Sequence, residues 1–211
     1  NELILLMLGG FLISAAMERS GAHHRIALGM IRLIGGDSSR RIVFGFIIAS
    51  AMLSMWISNT ATALMMLPIA LAVIHQSPDK KLAIPLLLSI AYGSSIGGLG
   101  TPIGTPPNLV FMQQYEKFTD HSVSFVQWMS WGLPVVFVFI PITALWLTRH
   151  LDYHGKLTMP PVGNWRPEER RVLIIFGLTA IAWMTRLEPF GGWSHWLDLK
   201  NANDAIVALI A

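Results

Sequence analysis

A run of 37 residues, 42–78, contains no Asp, Glu, Lys or Arg. One membrane-spanning helix needs about 20 apolar residues, so the run is too long for a single crossing. It is short for two full crossings with a turn between them. Near its middle lie Ser54 and Ser58-Asn59-Thr60, with Thr62 just beyond. Polar groups inside an apolar run are costly in lipid and mark a site. The spacing therefore predicts a hairpin of two short helices over 42–78. It enters the membrane, turns at Ser58-Asn59-Thr60 near mid-depth and leaves on the same side. Non-helical backbone at that depth is tolerated only where protein or a wet cavity surrounds it.

A second run, 82–115, is equally free of Asp, Glu, Lys and Arg, and it too is interrupted. The break is Gly97-Gly98-Leu99-Gly100-Thr101-Pro102-Ile103-Gly104-Thr105-Pro106-Pro107-Asn108. Gly and Pro at this density end a helix, which predicts half-helices over 82–96 and 109–115 joined by an unwound polar linker. Upstream, residues 3–17 read as an apolar helix. Residues 18–41 mix Arg19, His23, His24, Arg25, Arg32, Arg40 and Arg41 with apolar positions, as an amphipathic helix on the membrane surface does. Asp37 or Ser38 is placed to cap the helix that follows. Downstream, 125–148 reads as a helix with Trp128 and Trp131 as interface anchors. Residues 149–171 read as a polar surface connector and 172–185 as a short helix whose flanking Arg171 and Arg186 snorkel. An aromatic-rich loop over 189–203 and a final helix from Ala205 complete the chain.

Composition agrees with an all-α integral membrane protein. The chain is 53% hydrophobic and 13% charged, with mean hydropathy +0.54; soluble domains carry about 25% charged residues. It has no Cys, which excludes disulfides and thiolate metal sites. The net charge of +3 is read as a topology signal, and no nucleic-acid partner is expected. If the first helix runs outside to inside and the hairpin starts and ends inside, the inside segments hold Arg19, Arg25, Arg32, Arg40, Arg41, Lys80, Lys81, Arg149, Lys156, Arg166, Arg170 and Arg171. The outside segments hold Lys117, Arg186 and Lys200. This split of 12 against 3 uses all 15 Lys and Arg and follows the positive-inside rule. It does not separate a re-entrant hairpin from two full spans.

Two interrupted segments at membrane depth are the pattern of a secondary-transporter site, in which half-helix N-termini face anionic groups and unwound carbonyls hold Na⁺. Ser54, Ser58, Asn59, Thr60, Thr101, Thr105 and Asn108 offer neutral oxygens, and free N–H groups at helix starts suit a carboxylate. Neither run holds a carboxylate that could relay protons, which favours Na⁺ over H⁺ coupling. Other patterns are weaker. The spacings Gly93/Gly97 and Gly100/Gly104 read as helix packing. Gly98-Leu99-Gly100 lacks the Lys-Ser/Thr of a phosphate loop, and His150 with His154 makes a poor metal site. His23-His24 reads as surface. No catalytic constellation sits at depth, so the chain is not read as an enzyme.

The segment Ser54-Met55-Trp56-Ile57-Ser58-Asn59-Thr60-Ala61-Thr62, followed by Met65-Met66-Leu67-Pro68, strongly resembles the first Ser-Asn-Thr motif of the divalent anion/Na⁺ symporter family. The segment from Ala91-Tyr92 through Gly104-Thr105-Pro106-Pro107-Asn108 resembles that family's unwound fifth helix. The resemblance implies one inverted repeat of a homodimeric elevator-type transporter in the inner (plasma) membrane, carrying dicarboxylates such as succinate, malate or fumarate with Na⁺. It implies a Na⁺ site of Ser54, Ser58, Asn59 and Gly104, and substrate contacts from Asn59, Thr60, Thr105 and Pro106. It also implies a moving transport domain over 42–150, a connector over 151–171 and fixed scaffold over 1–41 and 172–211. No second Ser-Asn-Thr hairpin occurs in the sequence, so the chain is expected to be the N-terminal half of such a transporter. Four other readings stay open: Na⁺-independent dicarboxylate exchange, transport of citrate or sulfate on the same fold, an ion channel whose re-entrant loop is a filter, and a non-transporting membrane anchor.

Overall fold

Ser38 sets where the hairpin begins. In the computed structural model, which describes residues 2–34, 38–152, 163–187, 192–199 and 203–210, its hydroxyl accepts a hydrogen bond from the Arg41 N–H (3.3 Å). Helix α3, Ser39–Ser54, follows from that cap. Asp37, the alternative cap, lies outside the described residues. Before α3 come α1 (Glu2–Ser20) and α2 (Ala22–Ile34), which meet at Gly21 with φ +79°. After it come α4 (Asn59–Gln76), α5 (Ala83–Gly97), α6 (Pro106–Thr119), α7 (Phe125–Thr148), α8 (Pro167–Met184), α9 (Gly192–Trp196) and α10 (Asp204–Ile210). There is no strand among the described residues, and the all-helical class stands.

The hairpin is longer in its arms than expected. α3 has 16 residues and α4 has 18, about 24 and 27 Å at 1.5 Å per residue. Pro68 interrupts one hydrogen bond of α4 without ending it. Among the described residues α1, α4 and α7 are long and apolar enough to cross a membrane, and α5 is a shorter apolar helix. Both arms return to one level: the Ser39 hydroxyl donates to Asp79 Oδ2 at 2.6 Å.

α3 is the central element, packed on α2, α4, α5 and α7. It lies closest to α5, because Gly93 and Gly97 present bare backbone to it. A Cβ added at Gly93 would lie 2.7 Å from the Ile47 carbonyl, and one at Gly97 would run into the Ala51 carbonyl. This spacing is therefore packing, as read from the sequence. One apolar core joins α2, α3, α4 and α5 around Ile31, Ile42, Phe46, Met66, Leu82 and Leu86. A second joins α1, α6, α7, α8 and α10. Between them stands Trp56 of the hairpin tip. It is stacked on Phe125 (6.2 Å) and Trp183 (6.5 Å) and meets Phe176 edge-on (5.0 Å).

Three of the predicted inside residues, Arg25, Arg40 and Arg166, are tied to the ends of helices and to neighbouring loops. Arg40 Nε donates to the Leu151 carbonyl and Arg40 Nη2 to Asp152 (2.8 Å). Arg25 donates to Glu169 (2.8 Å) and to the carbonyls of Gly163 and Asn164. Arg166 donates to Glu169 (3.2 Å) and to the Ser20 carbonyl (2.9 Å). The Arg166 backbone N–H, with the two guanidiniums, holds the buried Glu169 carboxyl below its ordinary value of 4.5 despite desolvation.

Several readings change. α8 begins at Pro167 rather than at 172, because the Glu169 carboxylate accepts from the Arg166 N–H (3.1 Å) with Pro167 at the first helical position. Residues 167–171 are thus helix, not connector. Arg186 does not snorkel, since it pairs with Asp204 at 2.6 Å and ties α8 to α10. His23 is buried, not surface; its Nδ1 lies 2.9 Å from the Met17 carbonyl at the end of α1. The loop over 189–203 contains the one-turn helix α9. Lys156, His154, Pro160-Pro161 and Lys200 lie outside the described residues.

Candidate functional site

The α3–α4 turn and the α5–α6 linker fold against each other, and each is shaped by its own polar groups. Ser54, the last residue of α3 and fully buried, donates its hydroxyl to Asn59 Oδ1 at 2.6 Å. Ser58 caps α4, its Oγ accepting from the Ala61 N–H (3.2 Å). Four residues, Met55 to Ser58, therefore reverse the chain between two well-ended helices.

The linker is pinned from three directions. The Thr101 hydroxyl donates to the Met55 carbonyl, joining linker to hairpin tip. Asn108, buried at the start of α6, donates from Nδ2 to both the Gly98 and Thr101 carbonyls (2.8 Å each). Trp128 of α7 donates from Nε1 to the Leu99 carbonyl (3.0 Å). Thr101 and Asn108 were counted among the neutral oxygens; their donors are spent on backbone. They cross-link the site.

Four expected or adjacent positions converge. A Cβ at Gly98 would lie 2.5 Å from Asn59 Oδ1. A Cβ at Gly104 would lie 2.5 Å from the Gly98 carbonyl and 3.0 Å from the Ser54 carbonyl. Ser54, Asn59, Gly98 and Gly104 thus share one contact, buried but for the half-buried Asn59, rich in neutral oxygen and without a carboxylate. Such oxygens fit a hard monovalent cation. Ser58 is half-buried beside them with its oxygen engaged in the cap. Gly98 was not singled out as a site residue; its signal was its place at the end of α5, where a side chain would collide with the motif asparagine.

Thr60 follows Asn59 in α4, and Thr105 and Pro106 open α6. Thr60 and Pro106 are exposed and Thr105 is half-buried. Thr105 is the N-cap of α6, yet its hydroxyl makes no cap hydrogen bond. The two helix starts are not equivalent. The N–H groups of Asn59 and Thr60 carry no hydrogen bond among the described residues, as the first turn of a helix dictates. α6 opens with Pro106-Pro107, which have no N–H, and the Asn108 N–H bonds the Thr105 carbonyl (3.1 Å). The expectation of free donors holds for α4 and fails for α6. Two buried hydroxyls nearby in sequence, Ser50 and Thr62, have no partner among the described residues.

A profile of the citrate transporter family matches residues 1–210. The chain belongs to that family. It is similar to the sodium-dependent dicarboxylate transporter SdcS of Staphylococcus aureus strain NCTC 8325 / PS 47 and of strain COL, with 39% identity over 229 aligned residues in each case. The alignment covers 98% of this chain and 44% of each relative, so the chain spans less than half their length. The resemblance read from the two motifs is borne out. These relatives are named as transporters, not enzymes. Family membership and the three candidate spans make this a multi-pass plasma-membrane protein. No group of three or more His, Asp or Glu able to hold a metal ion occurs among the described residues, so a polyvalent metal centre has no support.

Proposed function

We propose that this chain forms the first half of a secondary active transporter that carries a dicarboxylate of the succinate, malate or fumarate type with Na⁺. The observation that carries the reading is the convergence of Ser54, Asn59, Gly98 and Gly104 between two broken helices, with no carboxylate present. Na⁺ is held by Ser54, Ser58, Asn59 and the backbone at Gly104. The substrate carboxylate meets Asn59, Thr60, Thr105 and Pro106, with the free N–H groups of Asn59 and Thr60 as donors. Bound Na⁺ offsets the charge of a dianion that no Lys or Arg at the site neutralises. The α4 dipole adds to this. The family resemblance extends the reading to an inverted second repeat, a homodimer and an elevator motion of 42–150 against a scaffold of 1–41 and 172–211.

The test is uptake of labelled succinate by liposomes holding the full-length protein, with an inward Na⁺ gradient against K⁺. Uptake only with Na⁺ supports symport. Uptake that ignores Na⁺ but needs internal dicarboxylate supports exchange instead. Uptake of citrate or sulfate in place of succinate moves the substrate. Flux that never saturates fits a channel. Asn59→Ala is expected to lose Na⁺ dependence and substrate affinity together; normal uptake by that variant removes the hairpin tip as the site.

A further inference from the structure

Trp128 was read as an interface anchor, but its indole makes a specific contact inside the molecule. Nε1–H donates to the Leu99 carbonyl at 3.0 Å. One turn further along α7, Gly132 leaves room for that same carbonyl; a Cβ there would run into Leu99 O and come within 3.4 Å of Gly100 Cα. α7 thus grips one linker carbonyl from two positions four residues apart. The neighbours of Leu99 face the hairpin tip: Gly98 against Asn59 Oδ1 (2.5 Å from an added Cβ) and Gly100 against the Met55 side chain (2.7 Å). The Trp128 ring also meets Phe111 of α6 edge-on at 5.7 Å. One side chain therefore touches the linker and the helix that follows it, on either side of Thr105 and Pro106.

We propose that Trp128 is a positioning residue for the cation side of the site: it fixes the Leu99 carbonyl and, through it, the approach of Gly98 to Asn59. This inference rests on the Na⁺ reading above. It implies that α7 reports to the ligands without contributing one. Loss of the indole N–H frees Leu99, so the linker samples positions in which Gly98 and Gly104 no longer close on Asn59 and Ser54. Cation affinity falls, while the substrate contacts, once Na⁺ is saturating, are unchanged.

The experiment is Na⁺-dependent succinate uptake by the reconstituted full-length transporter with Trp128→Phe, which keeps an apolar ring and removes the donor. One net hydrogen bond corresponds to roughly a five-fold change in an equilibrium, so the half-saturating Na⁺ concentration is expected to rise about three- to ten-fold. The maximal rate and the substrate half-saturation at saturating Na⁺ stay within about two-fold of wild type. Trp131→Phe, an exposed ring against Tyr115, leaves the Na⁺ curve in place. A purely structural role would lower the amount of active transporter and hence the maximal rate, with the Na⁺ midpoint fixed; that result overturns the proposal. If Trp128→Phe accumulates poorly, Gly132→Ala perturbs the same carbonyl from the other side, and an unmoved Na⁺ midpoint there is equally fatal. Wild-type uptake that ignores Na⁺ would sink the Na⁺ reading, and this inference with it. Na⁺-dependent wild type with an unmoved variant sinks this inference alone.

Discussion

Gly93→Ala tests the packing on which the site stands. The added Cβ would lie 2.7 Å from the Ile47 carbonyl, 3.0 Å from Ser50 Cβ and 3.2 Å from Ile47 Cα. Ordinary contact begins near 3.4 Å, so α3 and α5 must separate by about 0.7 Å at this point. The obstacle is backbone in the middle of a helix, which has no rotamer by which to give way. Overpacking of this kind costs about 1–3 kcal/mol, and the gain in helix propensity from Gly to Ala returns at most about 1 kcal/mol. Because the 2.7 Å contact is with backbone, the cost lies at about 2–3 kcal/mol and a net loss of roughly 1–2 kcal/mol follows, a five- to thirty-fold shift in the folding equilibrium. Gly29 is the internal comparison. It sits inside α2 with nothing within 4 Å of an added Cβ, so Gly29→Ala keeps the propensity gain alone and is neutral or stabilising. The assay is thermal unfolding of the full-length protein in detergent at one fixed scan rate, since membrane proteins commonly unfold irreversibly. A Gly93→Ala midpoint equal to wild type, or a Gly29→Ala midpoint as low as that of Gly93→Ala, would show that close α3–α5 approach does not hold this fold.

Asn108→Ala leaves the Gly98 and Thr101 carbonyls unpaired in a buried place, a loss of about 1–3 kcal/mol seen as a lowered unfolding midpoint, and Asn108→Asp is worse because it places acceptor against acceptor. The Glu169 carboxyl is held below 4.5, first by the Arg166 N–H and then by the Arg25 and Arg166 guanidiniums. Its folded pKa lies under its unfolded one, so its stabilisation is complete above about pH 4.5 and disappears as pH falls through the folded value. Glu169→Gln should flatten that part of a midpoint-against-pH curve; an unchanged acid limb would mean the ion pairs do not couple α2 to α8. Trp56→Leu removes three ring contacts, each about 0.5–1.5 kcal/mol, and should lower the unfolding midpoint by an amount that Trp131→Leu, at an exposed ring, does not match.

The two broken segments were legible in the sequence because their signals are local. Ser38 and Ser58 each bond an N–H three residues on, and the glycine-proline linker cannot continue a helix. The residues that shape the site across space were not legible. Trp128 and Leu99 are 29 positions apart, and Thr101 and Met55 are 46. A tryptophan near a helix start in an apolar chain reads as a lipid anchor whether or not its N–H finds a carbonyl. The start of α8 was misplaced for a related reason: Glu168, Glu169, Arg170 and Arg171 look like connector by polarity, yet Glu169 is buried between Arg25 and Arg166. Burial by ion pairing leaves no apolar periodicity to find. Arg186 and Asp204, 18 apart, concealed their pairing in the same way.

The distribution of hydrogen bonds also decides which atoms remain for a ligand. Of the polar groups at the two breaks, the Thr101 hydroxyl hydrogen, the Asn108 amide N–H groups and one lone pair of Ser58 Oγ are committed to holding backbone, and the second Ser58 lone pair remains. The Ser54 hydroxyl donates to Asn59 Oδ1, which leaves the Ser54 lone pairs and one of the two on Asn59 Oδ1 able to turn to a cation. The Asn59 and Thr60 N–H groups at the start of α4 have no partner among the described residues, and α6 offers a dipole with its first two donors deleted by proline. In the proposed reading, cation oxygens and anion donors meet at one residue, Asn59, whose side chain serves the first and whose backbone serves the second. On the same reading, a dicarboxylate bound there gains from a cation already in place, because both touch the same residue. Ordered binding, Na⁺ before substrate, follows from that reading. It is checked by the substrate half-saturation, which should fall as Na⁺ rises and stop falling when the Na⁺ site is full; a substrate affinity independent of Na⁺ would separate the two halves of Asn59 and refute the coupling.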